Sequence, residues 1–294
     1  MPVSARGAKL FCFLFLLFVG QTAFSAAPER NDLLESGLKM DVEFLSDTLC
    51  AGRKTGSVGA GAATFYIIHR LEYMGYDVTV NSFETPAGTI GRNLIAGSLS
   101  GNKAAVLIMA YYDGLGKIGS RLYPGADSNA SGVAALLSLA ESLKDRNDVI
   151  FAFVDGHNAN MAGAETLKMA TAKLRLRMVV NLDILGSTLA PPDKFWKNYL
   201  IILGGAPYQQ SFDRLNSDKA LHLYYNYYGS RSFTDLFYHK VSDHKVFFDR
   251  GVPVLMFTSG ITLNTNREGD TCETLDYPVF ADRVSLITRW LQAL

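Results

Sequence analysis

Hydrophobic positions along this chain recur with two different periods. From Arg30 to Thr48, the residues Leu33, Leu34, Leu38, Val42 and Leu45 lie mostly three to four apart, which predicts an amphipathic helix. Ala62 to Tyr73 repeats the pattern with Phe65, Ile68 and Leu71, continued by Met74, and Gly75 supplies a residue that tolerates positive φ at a helix end. Asp77 to Glu84 alternates instead, with Val78, Val80 and then Phe83, as a half-buried strand does. Nearly continuous apolar runs at Ala104–Ala110, Val149–Val154, Met178–Ile184, Tyr199–Leu203 and Val252–Thr258 predict strands covered on both faces. Helical stretches fall at Ala130–Lys144, Ala162–Lys173, Gln209–Asn216 and Pro278–Leu294. This alternation predicts an α/β fold, a three-layer helix-sheet-helix sandwich. No internal repeat, low-complexity tract or linker interrupts it, so residues 26–294 read as a single domain.

At 294 residues, 48% hydrophobic and 19% charged, the chain suits one domain with a large core. Its beginning is different. Met1–Leu10 carries Arg6 and Lys9 and no acid, Phe11–Gly20 is almost wholly apolar, and Ala23-Phe24-Ser25-Ala26-Ala27 supplies small residues. That order predicts a signal peptide over residues 1–25, cleaved after Ser25, and an exported product, periplasmic or secreted. The apolar stretch is too short for a membrane span, and Cys12 lies inside it rather than at a lipoprotein-type cleavage position. No membrane span is expected in the mature chain. Removing Arg6 and Lys9 from 28 basic residues, against 28 acidic ones, leaves a net charge of −2, and no basic stripe recommends nucleic acid as a partner. Cys50 and Cys272 remain. In an oxidising compartment they either form a bridge, which would constrain the unfolded chain by about 4–5 kcal/mol in the entropy model, or stay as separate buried thiols.

The candidate chemistry sits in short segments. In chain order they are Cys50-Ala51-Gly52-Arg53-Lys54-Thr55-Gly56-Ser57, Gly91-Arg92-Asn93-Leu94-Ile95-Ala96-Gly97, Ala110-Tyr111-Tyr112-Asp113 and Gly125-Ala126-Asp127-Ser128-Asn129-Ala130-Ser131-Gly132. Phe153-Val154-Asp155-Gly156-His157-Asn158, Asn181-Leu182-Asp183-Ile184-Leu185-Gly186, Ser242-Asp243-His244-Lys245-Val246-Phe247 with Gly251-Val252-Pro253, and Asn266-Arg267-Glu268-Gly269-Asp270-Thr271 follow. Together they resemble the motifs of the zinc aminopeptidase family, metallopeptidase family 28, which includes bacterial leucyl aminopeptidases, glutamate carboxypeptidase and glutaminyl cyclases. The resemblance runs from about Leu45 to the C-terminus. It implies a zinc aminopeptidase-like sandwich with a mixed central sheet.

The same resemblance implies where two zinc ions would sit, and there the chain departs from the family. The family site takes a His at a strand end, a bridging Asp, a Glu, a second Asp and a late His, because zinc is held by neutral imidazole and anionic carboxylate. The matching positions carry Tyr111, Ser128, Asn158, Asp183 and Asn266, of which only Asp183 is a family ligand. His157 replaces the Glu that serves as general base. Tyrosine ionises only at about pH 10, and serine and asparagine are weak zinc ligands, so no metal cofactor is expected. Asp113, Asp127, Asp243, His244 and Asp270, which in the family orient ligands or shape the loops around them, are kept.

Several arrangements stay open at the crevice expected beyond the strand carboxyl ends. His157 and Asp183 could hold one zinc, with a third ligand from Asp113 or Asp127. Ser128, His157 and Asp183, the catalytic candidates, could act as nucleophile, base and orienter, although Ser128 and Asn129 are also favoured N-cap residues just before a helix. Alternatively His157 and Asp183 pair, directly or through one water, which would raise the His pKa and lower that of the Asp. His244 reads as structural, and His69 and His222 lack a partner pattern. Tyr224-Tyr225-Asn226-Tyr227-Tyr228, with Phe233, Phe237, Tyr238 and His239, reads either as a grip for a peptide or sugar or as a strand of packed tyrosines. The residues predict a non-catalytic pseudopeptidase that binds a peptide-like ligand or protein partner. The alternative is an aminopeptidase or glutaminyl cyclase-like enzyme with a rebuilt site, either holding one metal or metal-free.

Overall fold

The computed structural model describes residues 30–99 and 104–294, so the predicted signal peptide lies outside the described residues. The first apolar period forms α1 (Arg30–Ser46) and the second forms α2 (Val58–Tyr73), which begins earlier than its apolar spacing because Ser57 caps it, accepting from the Ala60 amide at 3.1 Å. The buried stripe of α2 is Ala60, Ala63, Ile67 and Leu71, while Phe65, expected inside, is exposed, as is Leu33 on α1. Small residues carry the helix contact there, and a scale of hydrophobicity overweights the phenylalanine.

The strands are β1 (Val78–Glu84), β2 (Ile90–Ala96), β3 (Ala105–Tyr111), β6 (Val149–Val154), β7 (Leu176–Leu182), β8 (Tyr199–Leu203), β9 (His222–Tyr224) and β10 (Val254–Thr258), with β4 (Gly116–Ile118) and β5 (Arg121–Tyr123) forming a separate small hairpin. The main sheet has the order β1-β2-β6-β3-β7-β10-β8-β9. Its centre, β6-β3-β7-β10, is parallel, and β2 and β8 flank it antiparallel, so the sheet is mixed as the resemblance implies.

Alternation along the central strands divides the core into two layers. Val106, Ile108 and Ala110 of β3 and Phe151 and Phe153 of β6 meet α1, α2, α3 (Gly132–Ser142), α5 (Gln209–Leu215) and α7 (Tyr277–Gln292) on one face. Leu107, Met109 and Tyr111, with Ile150, Ala152 and Val154, face α4 (Ala162–Ala170) and the helical turn Asp243–Arg250 on the other. The fold is therefore the expected three-layer sandwich. A period of two places Tyr111 and Tyr112 on opposite faces. The aromatic segment is a strand only as far as Tyr224; Phe233, Phe237 and Tyr238 belong to α6 (Arg231–His239), a helix the apolar spacing did not reveal and which has no fully buried residue. Cys50 is buried and Cys272 partly exposed, and both are free thiols.

Candidate functional site

Three neighbouring parallel strands deliver the site. Tyr111 is the last residue of β3, His157 follows β6 and Asp183 follows β7, all at the carboxyl ends. Ser128 arrives from the turn Ala126–Ser131 that leads into α3, and its peptide bond to Asn129 is cis. With Asn266, Tyr227 and Phe237 they line a crevice of about 220 Å³.

Tyr111, His157 and Asp183 are each held by another side chain. The Tyr111 hydroxyl meets Ser128 Oγ at 3.1 Å, and the Tyr111 ring stacks on His157 with centroids 4.0 Å apart and planes at 11°. His157 Nδ1 bonds to Asp243 Oδ2 at 2.6 Å. Burial alone would depress the imidazole pKa, but the charge and hydrogen bond of Asp243, helped by Asp183 and Asp113, raise it to about 9. His157 is therefore an imidazolium at neutral pH, and a cation against a tyrosine face gains from the ring quadrupole. Burial also pushes the Tyr111 hydroxyl well above its ordinary range, so it stays protonated.

Asp183 Oδ2 accepts from Ser242 Oγ at 2.5 Å, and Ser242 Oγ accepts from Asn181 Nδ2 at 2.8 Å. Burial raises the Asp183 pKa; the His157 charge and hydrogen bonds from Ser242 and Tyr111 oppose this without cancelling it. Asn181 Nδ2 also lies 3.1 Å from His244 Nδ1, and His244 Nε2 donates to the Tyr238 carbonyl at 2.7 Å. This fixes the neutral tautomer, and burial lowers the His244 pKa to about 4.

Beneath the crevice, carboxylates bond to backbone. Asp270 accepts from the Asp127 and Ser128 amides at 2.7 and 3.1 Å, and Asp127 Oδ1 from the Gly186 amide at 2.7 Å. Asp113 accepts from the amides of His157 and Asn158, and Asp155 from those of Arg92 and Gly156. Arg53, fully buried, donates to the carbonyls of Tyr112, Pro124, Gly125 and Leu45. Arg283 of α7 does the same for Tyr199, Leu185 and Ser187. Burial, with the Asp270 charge, raises Asp127 to about 7, and burial raises Asp113 to about 6.

Four of the five ligand positions, Tyr111, Ser128, Asp183 and Asn266, converge on the crevice together with His157. Asn158 does not; it is exposed, and its amide group donates to Asp113 at 3.2 Å. The direct partner of His157 is Asp243 rather than Asp183, and the Asp183 pKa is raised rather than lowered, because burial outweighs the charge of an imidazolium already neutralised by a nearer carboxylate. The Ser128 hydroxyl is paired with Tyr111 instead of His157, which removes the nucleophile-base contact of the triad arrangement. The capping role belongs to Asn129, whose Oδ1 accepts from the Gly132 and Ile184 amides. Ser242, Asn181, Arg53 and Arg283 were not singled out from the sequence. Arg53 had a signal, as a lone arginine inside a glycine-containing motif; Arg283 had none.

The donor set does not fit zinc. Among the described residues no group of three or more His, Cys, Asp or Glu side chains is placed to hold a metal ion. A single zinc on His157 and Asp183 would have to take an imidazole already held as a cation by Asp243 and a carboxylate already bonded to Ser242, whereas zinc requires neutral imidazole.

Sheet order, the turn before α3 and the crevice at the strand ends define a zinc aminopeptidase-like sandwich in which four of the five metal-ligand positions carry other residues. The chain belongs to peptidase family M28, whose profile matches residues 93–290. BSAP, a zinc aminopeptidase from Bacillus subtilis, superposes with a TM-score of 0.68 at 13% identity, over 88% of this chain and 94% of that one. Porphyromonas gingivalis glutaminyl cyclase gives 0.65 at 18%, over 90% and 98%, and the LapA aminopeptidase of Legionella pneumophila 0.66 at 12%, over 89% and 74%. These likenesses show the fold. In sequence the chain is 26% identical over 201 residues to the alkaline phosphatase isozyme conversion protein of Escherichia coli strain K12, a match covering 59% of this chain; it spans 56% of that relative's length.

Proposed function

We propose that this protein is an exported pseudopeptidase of family M28, a single domain over residues 26–294 that binds a peptide-like ligand without two-metal hydrolysis. The observation that carries this reading is the neutralised crevice, in which Tyr111, His157 and Asp183 are partnered by Ser128, Asp243 and Ser242 and stand free of metal chemistry. Beside it lies an apolar cavity of about 320 Å³ lined by Ala190, Pro191, Tyr227, Tyr228, Phe233, Phe237 and Ile261. The two cavities share Tyr227, Phe237 and Ile261, and together they reach the size of ligand pockets, about 300–1,000 Å³. An apolar side chain would enter the aromatic cavity while polar ends meet Asp183, Ser128 and Asn266. A polypeptide is the preferred ligand class because the curated relative is named for converting a protein.

Calorimetric titration of the mature protein with short peptides bearing leucine or phenylalanine tests this. Saturable binding, weakened by Phe237→Ala, with no turnover of aminoacyl anilides with or without added Zn²⁺, is expected. Turnover that disappears in His157→Ala would replace this reading by the rebuilt-enzyme one.

A further inference from the structure

The connection between β7 and β8 carries a surface feature unrelated to the crevice groups. Within Pro191-Pro192-Asp193-Lys194-Phe195-Trp196-Lys197-Asn198, Phe195 is 76% and Trp196 48% exposed, and Leu189 just before it is 59% exposed. The Trp196 amide donates to the Asp193 carbonyl at 3.0 Å, so a turn fixes the two rings at the tip. Trp196 stacks on His222 at 3.9 Å, and Lys194 Nζ lies 5.1 Å from the Phe195 ring centroid. Lys197 and Lys219 line the same hollow, and among the described residues no acidic side chain does. The acids nearest in sequence, Asp193 and Asp218, each accept a backbone amide of their own turn, from Phe195 at 3.0 Å and Ala220 at 3.4 Å. Exposed aromatic rings flanked by lysines are costly in water and suit one environment well, the boundary between acyl chains and anionic headgroups.

We propose that this loop docks the domain on an anionic lipid surface. Phe195 and Trp196 enter the headgroup region, and Lys194, Lys197 and Lys219 meet the phosphates. Neither signal suffices alone, since a few apolar side chains give marginal membrane affinity and a few lysines are screened by salt. The register places the loop relative to the crevice. Ile201 of β8 pairs with Thr258 at the carboxyl end of antiparallel β10, so the N-terminal end of β8, where the loop joins, lies at the crevice end of the sheet. Docking there leaves the rest of the molecule in water and holds the crevice close to the surface, whatever the crevice binds.

The chain contains two tryptophans, and Trp290 is buried at 1% exposure, so a change in emission on adding lipid reports Trp196. The mature protein is mixed with vesicles of equal phosphatidylglycerol and phosphatidylcholine, and with vesicles of phosphatidylcholine alone. A blue shift and co-sedimentation with the anionic vesicles only, reversed by salt, are expected. Lys197→Glu combined with Lys219→Glu should weaken partitioning by about tenfold or more, and Phe195→Ala should abolish the blue shift while the circular dichroism spectrum stays unchanged. Trp196→Phe should keep sedimentation and lose the spectral shift. Absence of sedimentation with phosphatidylglycerol vesicles would overturn the proposal, and so would an equal response to soluble glycerol phosphate, which would make the loop a site for a free anion.

Discussion

Asp270 and His157 lie at the same end of the sheet and are held by different kinds of partner. Asp270, like Asp127, Asp113 and Asp155, accepts from backbone amides of the loops that follow the strands. His157, like Tyr111 and Asp183, is held by another side chain, Asp243, Ser128 and Ser242 respectively. The first group folds loops, a task that exists with or without a metal, because an unpaired buried amide is costly. In the second, three positions where the family places metal ligands or the general base carry residues held by neighbouring side chains. A scaffold can thus keep its acids while its site changes chemistry, and retained acids are evidence of fold before function.

The comparison breaks first if the loop-holding network is dispensable. Arg53→Ala should lose about 3–5 kcal/mol, since four carbonyls lose a buried guanidinium at once, and denaturant unfolding reads this directly. Asp270→Asn should cost about 2–3 kcal/mol in the same measurement, because an NH₂ group would face the Asp127 or Ser128 amide. A crevice change such as Tyr111→Phe, which removes the hydroxyl from Ser128 and Asp183 and keeps the ring on His157, should cost only about 1–2 kcal/mol. Equal losses for Asp270→Asn and Tyr111→Phe would erase the distinction.

Acid-base titration separates the two regions without disrupting either. Asp127 has a folded pKa of about 7, above its unfolded value, so its contribution is fully present below the unfolded value and is lost as pH rises toward 7. His157, at about 9, contributes stability that is fully present below its ordinary value and lost as pH rises through 9. Unfolding free energy should therefore decline in two stages, the first reduced by Asp127→Asn, with Asp113 at about 6 contributing over the same range, and the second removed by His157→Gln. In Asp243→Asn, burial should dominate and NMR should place the His157 titration well below 9. A His157 titration unchanged in that variant would remove the side-chain pairing from the account. The smallest expected effect is that of metal: chelator should leave the melting temperature unchanged, and elemental analysis after mild zinc loading should find less than one zinc per chain.

Much of this was legible in the chain because the signals are local. Apolar runs such as Val149–Val154 and Tyr199–Leu203 are strands in the structure with the same limits, and the ordered motifs led to the family and to the positions where Tyr111, Ser128, Asn158 and Asn266 replace ligands. The β2 strand was seen only as a motif, since Gly91, Arg92 and Asn93 dilute its apolar character. Partnership was decided by tertiary structure alone. Asp113, Asp183 and Asp243 all act on the charge of His157, and only the packing of the Asp243–Arg250 turn against the sheet brings the carboxylate 86 residues away within bonding distance. Which way a side chain turns is likewise set by neighbours distant in sequence, so Asn158 shares a motif with His157 and yet leaves the crevice. Sequence spacing determines which residue types arrive at the strand ends; the three-dimensional packing determines which of several chemically equivalent partners lies within hydrogen-bond reach, because that attraction falls away within an ångström or so.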